Sequence, residues 1–585
     1  MTAYPIWFGP TDRPLSGWFH QPTDRRARAG VVLCAPFGLE YMRAHHALRL
    51  LGERLESLGI CALRFDYDGM GDAAGSNADG HRVQSWLRST AQAIEVLREA
   101  GVSAVSLVGM RMGAVIAANV AAEDSALDQI VLWDPCASGR SFLKEQQALS
   151  ALTLGIRARR PDGSVEAPGL VYGADTVADM GRLDLSALST ARVRRVLVLT
   201  RDDRDGDSRL QGLTCTGTVE WQEADGQAEL MDGGSPDRKL TFTTIERIAA
   251  WLCDGTAEAR TPIDGPPVAG RAIVGFDENG GAIVERPILL PPAGLFGMVT
   301  EPAGASRGPA VLMLNVADKH HIGPCRLWVD LARRWAGAGV RSLRFDMSGL
   351  GESPLRHPEQ RQLVSCAPEA FEDVEDAARA MSPEDPSNVV LVGLCSSGYQ
   401  AIESALQLVP RGVIAINPWL SGVPPEFELA QPLDSRRRVI LSSGSVMRAF
   451  HNQAPLSELG RRFPNLGWRL RMLAAGSRRS AVWAKSLVDG GVDVLIVCGE
   501  QEARPIRFGA SSRVFSRLTA TGRFEFDYFS DLQHVLLIAS QRQMVVDLVT
   551  HHLTSKFVHL NFESEDRGTH TDAPPQRQTA QSRAH

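Results

Sequence analysis

The chain is short of features that mark an unusual environment. Its nine cysteines are scattered singly through 585 residues, with no Cys-x-x-Cys pair. That pattern argues against a disulfide framework and against a paired-thiol zinc site. No stretch approaches 18 consecutive apolar residues, so no transmembrane helix is predicted. The opening residues, MTAYPIWFGP, have no basic region followed by an apolar run, so no secretory signal is predicted either. Charge of one sign is scarce: 62 Lys and Arg stand against 68 Asp and Glu, a net of −6. This gives no reason to expect nucleic acid or an anionic membrane as partner. A reduced, cytoplasmic protein is the expectation. Histidine is missing over a long interval: after His20, His45, His46 and His81 none follows until His320.

What is present is ordinary globular composition, 44% hydrophobic and 22% charged. The length calls for two or more domains at roughly 100–250 residues each. The sequence repeats itself. LRFDYDGMGD at 63–72 returns as LRFDMSGLGE at 343–352, a separation far too long for a solenoid, so a whole domain is duplicated. The flanking features return in the same order. VVLCAP (31–36) matches VLMLN (311–315), and LVGMRMGA (107–114) matches LVGLCSSG (391–398). IVLWDP (130–135) matches VIAINP (413–418), and VLVLT (196–200) matches VLIVCG (494–499). Short apolar runs bounded by glycine and alternating with amphipathic segments predict βαβ units around a mostly parallel sheet.

The expectation is α/β: two tandem doubly wound sheets of α/β-hydrolase type. The first occupies 1–255, a Gly/Pro-rich linker 256–267, and the second 268–556. The second carries a helical lid insertion at about 421–490, with a shorter counterpart at 137–190 in the first. Residues 557–585 are polar and aperiodic and are expected to be disordered.

LVGLCSSG is an apolar strand entering a glycine-flanked turn before a helix, the pattern of a nucleophile elbow. Small residues two before and two after the nucleophile let strand and helix approach, and the next N–H faces a developing oxyanion. The register differs by one residue between two readings. With Cys395 as nucleophile, Gly393 and Ser397 flank it. With Ser396, Leu394 would crowd the turn. Ungapped alignment on GMRMG puts Cys395 where Arg111 stands, which favours Cys395. A buried core cysteine is the competing reading. The acid is expected three residues after Gly499, at Glu502, with Glu500 as the fallback. The base is expected after the last strand, at His534. The order nucleophile, acid, histidine is that of this fold. Val316 and Ser396 are the expected oxyanion donors. His320 and His321 either line the pocket or sit at its rim. They have no further ligand at convincing spacing, so no metal is expected, and no cofactor is implied.

The first half has Arg111 at its elbow and no late histidine, so it is expected to be non-catalytic. Arg111 could hold an anion or could pair with Glu40, Asp134 or Asp203.

Taken together, CAPFGLE…RFDYDGMGD…GMRMGA…LWDPCASGR resembles bacterial α/β hydrolases of the serine-aminopeptidase-like type found with exosortase and exopolysaccharide clusters, where arginine also stands in the elbow. N-x-x-x-x-H-x-x-G-P…RFDMSGLGES…GLCSSGYQA…DLQHVLL resembles hydrolases with Gly-x-Cys-Ser elbows that accompany polyketide or peptide assembly lines. Ser397 departs from the usual glycine there, and Glu502 from the usual aspartate. The resemblance implies an ester or thioester hydrolase, its acyl substrate free or on a carrier protein. The alternatives are an acyltransferase of exopolysaccharide or secondary-metabolite assembly and a non-enzymatic binding protein.

Overall fold

The computed structural model describes residues 3–201, 203, 210–232, 241–357, 368–419, 479–500, 502–503 and 511–558. The expected lid lies outside the described residues except for 479–490, of which 479–489 are helical. The expected disordered tail lies outside them except for 557–558.

The N-terminal half contains β1 (Ala3–Phe8), β2 (Leu15–His20), β3 (Arg26–Ala27), β4 (Ala29–Cys34), β5 (Ile60–Phe65), β6 (Val105–Met110), β7 (Leu127–Trp133), β8 (Val165–Ala167), β9 (Leu170–Tyr172), β10 (Arg195–Arg201) and β11 (Thr218–Ala224). After it come β12 (Thr261–Pro262), β13 (Ala272–Phe276), β14 (Ala282–Leu290), β15 (Leu295–Pro302), β16 (Ala310–Met313), β17 (Ser342–Phe345), β18 (Val389–Leu394), β19 (Gly412–Ile416), β20 (Asp493–Cys498) and β21 (Phe524–Tyr528).

Two large sheets result. One runs β1-β2-β5-β4-β6-β7-β10-β11, the other β13-β14-β15-β17-β16-β18-β19-β20-β21. From β2 and from β15 onward the orders match strand for strand. Both are antiparallel up to β5 or β17 and parallel beyond. Strands covered by helices on both faces must be apolar throughout rather than alternating. β4, β6 and β18 are accordingly buried at every position. In each sheet the strand order switches sides at one central strand, β4 or β16, and the loops at the carboxyl ends of the strands beside it form the crevice where this architecture places its chemistry.

The segment between the halves does not hang free. β12 pairs with β3, Ile263 donates to the Arg25 carbonyl at 3.0 Å and the Tyr4 hydroxyl donates to the Pro266 carbonyl at 3.1 Å.

The halves themselves meet through buried charge. Arg64 grips Glu352 with two nitrogens at 2.7 and 2.9 Å, and Arg344 donates to Asp72. These are the arginines and the closing acids of the repeated LRFD…G(D/E) segments, exchanged between the halves. His45 adds to Glu352 at 2.9 Å and His321 to Asp72 at 2.7 Å. Burial pushes both carboxyls up, but the facing cations hold Asp72 and Glu352 well below the usual carboxylate range. Trp18 of β2 packs edge-on to Phe296 of β15, ring centroids 4.9 Å apart.

Candidate active site

The turn after β18 places Cys395 at φ 61°, ψ −121°, immediately before the helix Ser396–Leu408. A non-glycine residue in positive φ costs of order 1–3 kcal/mol and persists only where the surroundings over-determine it. Here the Cys395 N–H is tied to the Ile416 carbonyl at 2.9 Å. A Cβ at Gly393 would lie 2.1 Å from the Ser397 carbonyl oxygen, so only glycine lets strand and helix approach. Serine fits at 397 because its hydroxyl folds back on Leu394. It accepts from that residue's N–H and donates to its carbonyl, each at 3.0 Å.

Cys395 Sγ lies 2.9 Å from His534 Nε2, and His534 Nδ1 lies 2.6 Å from Glu502 Oε1. Cys395 is 8% exposed, while the His534 side chain keeps 29%, so the thiol is sheltered and the imidazole edge is reachable. Burial alone would drive the His534 imidazole down. Its hydrogen bonds to Cys395 and Glu502 outweigh that and raise it to about 10.

Ser396 is fully buried, and its hydroxyl accepts from the Ala317 N–H at 3.1 Å. The thiol, not this hydroxyl, is the group on the histidine. Glu500, the fallback acid, has its carboxylate on the Tyr528 hydroxyl instead.

Val316 is buried in the same apolar cluster as Cys395, on the loop that follows β16. The Ala317 N–H beside it is already engaged by Ser396. Ser396 is the first residue of its helix, so its own N–H has no acceptor one turn back. The arrangement offers two candidate oxyanion donors, Ser396 and Val316.

His320 and His321 belong elsewhere. Both are buried at the seam between the halves. His321 bridges Asp346, at 2.8 Å from Nδ1, and Asp72, at 2.7 Å from Nε2. Burial lowers its imidazole, but the two carboxylates outweigh this and raise it to about 10. His320 stacks on His45 with centroids 3.8 Å apart, and burial together with those neighbouring histidines pushes it well below its ordinary value. A cavity of about 40 Å³ lies beside this pair. The loop carrying them runs from β16 toward the other half, which sequence spacing does not reveal. Among the described residues, no group of three or more His, Cys, Asp and Glu could hold a metal ion.

Asn417 is a site residue that the motifs did not single out. It follows β19 at φ 44°, a conformation asparagine tolerates. Its Nδ2 donates to the carbonyls of Gln533 and His534, each at 3.0 Å, and its Oδ1 accepts from the Gly499 N–H at 2.8 Å. One side chain therefore ties the acid loop to the histidine loop. The signal lay in the repeated WDP and INP, where the first half has Asp134, also at positive φ. Asn417→Asp keeps the acceptor and removes both donors. It is expected to lower kcat by about tenfold or more, with KM nearly unchanged, in steady-state assays.

The first half repeats the elbow with an arginine where the second has a thiol. Arg111 takes φ 54°, ψ −120°, and its N–H donates to the Trp133 carbonyl at 3.0 Å. Its guanidinium meets Glu40 at 3.3 Å, Asp134 at 3.7 Å and also Glu145. Asp203 is taken by Arg201 at 2.8 Å. Three carboxylates around one cation leave no net positive charge to hold an anion. Arginine itself can neither attack a carbonyl nor release a proton at neutral pH.

Residues 320–548 match the model of the alpha/beta hydrolase family. The sheet order, the elbow and this match make the fold that of an alpha/beta hydrolase, built twice in tandem. No curated protein sequence matches this chain. Among solved structures, Est1E from Butyrivibrio proteoclasticus with ferulic acid bound is similar at 13% identity, with a TM-score of 0.34, over 43% of this chain and 98% of its own. The esterase domain of a Rhodothermus marinus protein is similar at 14% identity and a TM-score of 0.28, over 43% and 98%. The Pyrococcus furiosus esterase Pf2001 is similar at 12% and 0.29, over 50% and 100%.

Proposed function

We propose that the chain hydrolyses a small acyl ester or thioester through Cys395, with His534 as general base and Glu502 orienting the imidazole. The observation that carries this is the unbroken contact from Sγ to Nε2 and from Nδ1 to Oε1, at 2.9 and 2.6 Å, starting from a strained elbow.

His534 takes the Cys395 proton, and the thiolate adds to the acyl carbonyl. The N–H groups of Ser396 and Val316 hold the oxyanion, each worth about 100- to 1000-fold in rate. Collapse expels the alcohol or thiol, protonated by His534, and leaves a thioester on Cys395. Water, deprotonated by His534, then releases the acid and restores the thiol. An amide is a poorer substrate, because the thiolate leaves the tetrahedral intermediate more readily than an amine does. Arg111 and the missing late histidine leave the N-terminal half without a part in the chemistry.

Purified protein offered p-nitrophenyl acyl esters and short acyl thioesters is expected to turn over and to carry the acyl group on Cys395 in intact-mass spectra. Cys395→Ala should abolish both, and Ser396→Ala should keep the adduct. Equal rates for wild type and Cys395→Ala, with no labelling of Cys395 by iodoacetamide, would sink the reading. Acyl groups recovered on an added amine or hydroxyl acceptor instead of water would make the protein an acyltransferase.

A further inference from the structure

We infer that the catalytically silent half positions the histidine loop of the other half, with Glu166 as the positioning residue. This rests on the assignment of His534 as the base.

The hairpin of β8 and β9 reaches across the seam. Glu166 Oε1 accepts from the N–H of Ala539 at 2.8 Å. Ala539 opens the helix Ala539–Leu553, whose N-cap residue, Ile538, has no side-chain cap. The first N–H groups of a helix have no partner of their own and attract negative charge. Here a carboxylate from the other half takes the place of the missing cap. Three residues on, the Gly169 N–H donates to the Leu537 carbonyl at 3.0 Å. A Cβ at Gly169 would lie 2.3 Å from Cys325 Sγ, so the hairpin tip reaches this depth only as glycine.

Glu166 is itself fixed. It is buried, Arg160 holds its Oε2 at 2.6 Å, the Ser150 hydroxyl donates to its carbonyl at 2.8 Å, and its N–H donates to Ala158 at 2.7 Å. Its free oxygen is therefore presented at a set place.

The loop that runs into these contacts is the one that carries His534. On its inner side Asn417 holds the carbonyls of Gln533 and His534. Gln541 closes it by accepting from the Gln533 N–H at 2.9 Å and donating to the Asp531 carbonyl at 2.6 Å. On its outer side the Glu166 hairpin fixes 537 and 539. Leu536, between the Asn417 contacts and those of the hairpin, sits at φ 53°, a conformation that needs such constraint. An imidazole displaced by about an ångström loses the line to Sγ, and misplacement of that size can cost about 100-fold in rate.

The experiment compares full-length wild type with Glu166→Ala, Glu166→Gln and Glu166→Asp. It reads steady-state kcat and KM on a p-nitrophenyl ester, and the rate of Cys395 alkylation by iodoacetamide as a function of pH. Glu166→Ala is expected to lower kcat about tenfold with KM little changed and to displace the pH profile of alkylation. Glu166→Gln keeps one acceptor oxygen for Ala539 but turns an amide toward Arg160, and should be clearly less impaired than Glu166→Ala. Glu166→Asp keeps a carboxylate for Arg160 but draws the acceptor back by one methylene. It carries the test by the same criteria if Glu166→Ala does not fold. Wild-type kcat and alkylation profile in Glu166→Ala would overturn the inference even if Tm fell, and so would a Glu166→Gln variant as impaired as Glu166→Ala. Alkylation does not require turnover. Wild type that fails on every ester and thioester therefore defeats the hydrolase reading, whereas active wild type with unchanged profiles across the variants defeats this one.

Discussion

Replacing His534 with alanine is expected to lower kcat by about 1,000- to 10,000-fold while substrate binding changes little. The thiol would lose the group at 2.9 Å that accepts its proton, and Glu502 would lose the imidazole it orients at 2.6 Å. Rate against substrate concentration, for wild type and variant, reads the effect directly. A drop below tenfold would mean that the contact exists but that the histidine is not the base. The variant should also differ in how its stability depends on pH. His534 is raised in the folded protein to about 10, above the roughly 6.5 of an unfolded chain. Its contribution is therefore fully present below about pH 6.5 and is lost as pH rises through about 10. The pH-dependent part of the stability gap between wild type and His534→Ala should shrink across that window in denaturant titrations.

Asp72→Ala is expected to destabilise the protein by about 3–5 kcal/mol, the usual penalty for breaking one side of a buried ion pair. Asp72 is 5% exposed and its partner Arg344 is completely buried. Removing the carboxylate leaves that guanidinium with Glu285 alone, at 2.8 Å, and His321 with Asp346 alone. The midpoint of urea unfolding measures the loss, and a shift of a few tenths of a kcal/mol would show that solvent or Glu285 compensates. The acid limb follows from the same geometry. A carboxyl held below its unfolded value stabilises the fold above about pH 3.9, and that contribution disappears as pH falls through the lower folded value. Wild type should therefore lose stability on acidification below about pH 4 more steeply than Asp72→Ala does.

The legible part of this molecule was its local chemistry. Strand runs such as VVLVGL at 389–394 are apolar at every position because both faces are covered, and Gly393 before the elbow is required by a contact of 2.1 Å that any Cβ would make. The register at 395 could be weighed because the first half carries the same turn with an arginine in it. The choice between Glu500 and Glu502 rested on counting from Gly499. In the structure, Tyr528 takes one and His534 the other.

Contacts between distant segments were not legible. Arg64 and Glu352 belong to a repeat that is plain in the sequence, yet nothing local says that its arginine should reach the acid of the opposite copy. His320 and His321 were placed near the pocket by proximity to the strand end, while the chain turns them toward Asp72 and His45. Asn417 was visible only as the residue after a strand, in the repeated WDP and INP. Its role needs two loops, at 499 and at 533–534, that are far from it in sequence. The segment expected as a lid falls almost wholly outside the described residues.

The crossed pairs, Arg64 with Glu352 and Arg344 with Asp72, are those of an isologous dimer, in which residue i of one subunit meets residue j of the other and j meets i. Here both subunits belong to one polypeptide, so their association is first order. Dilution cannot separate them, and neither copy can be exchanged for another. A free homodimer holding one spent site would be paired at random with active or inactive partners. A covalent one always presents each site with the same neighbour.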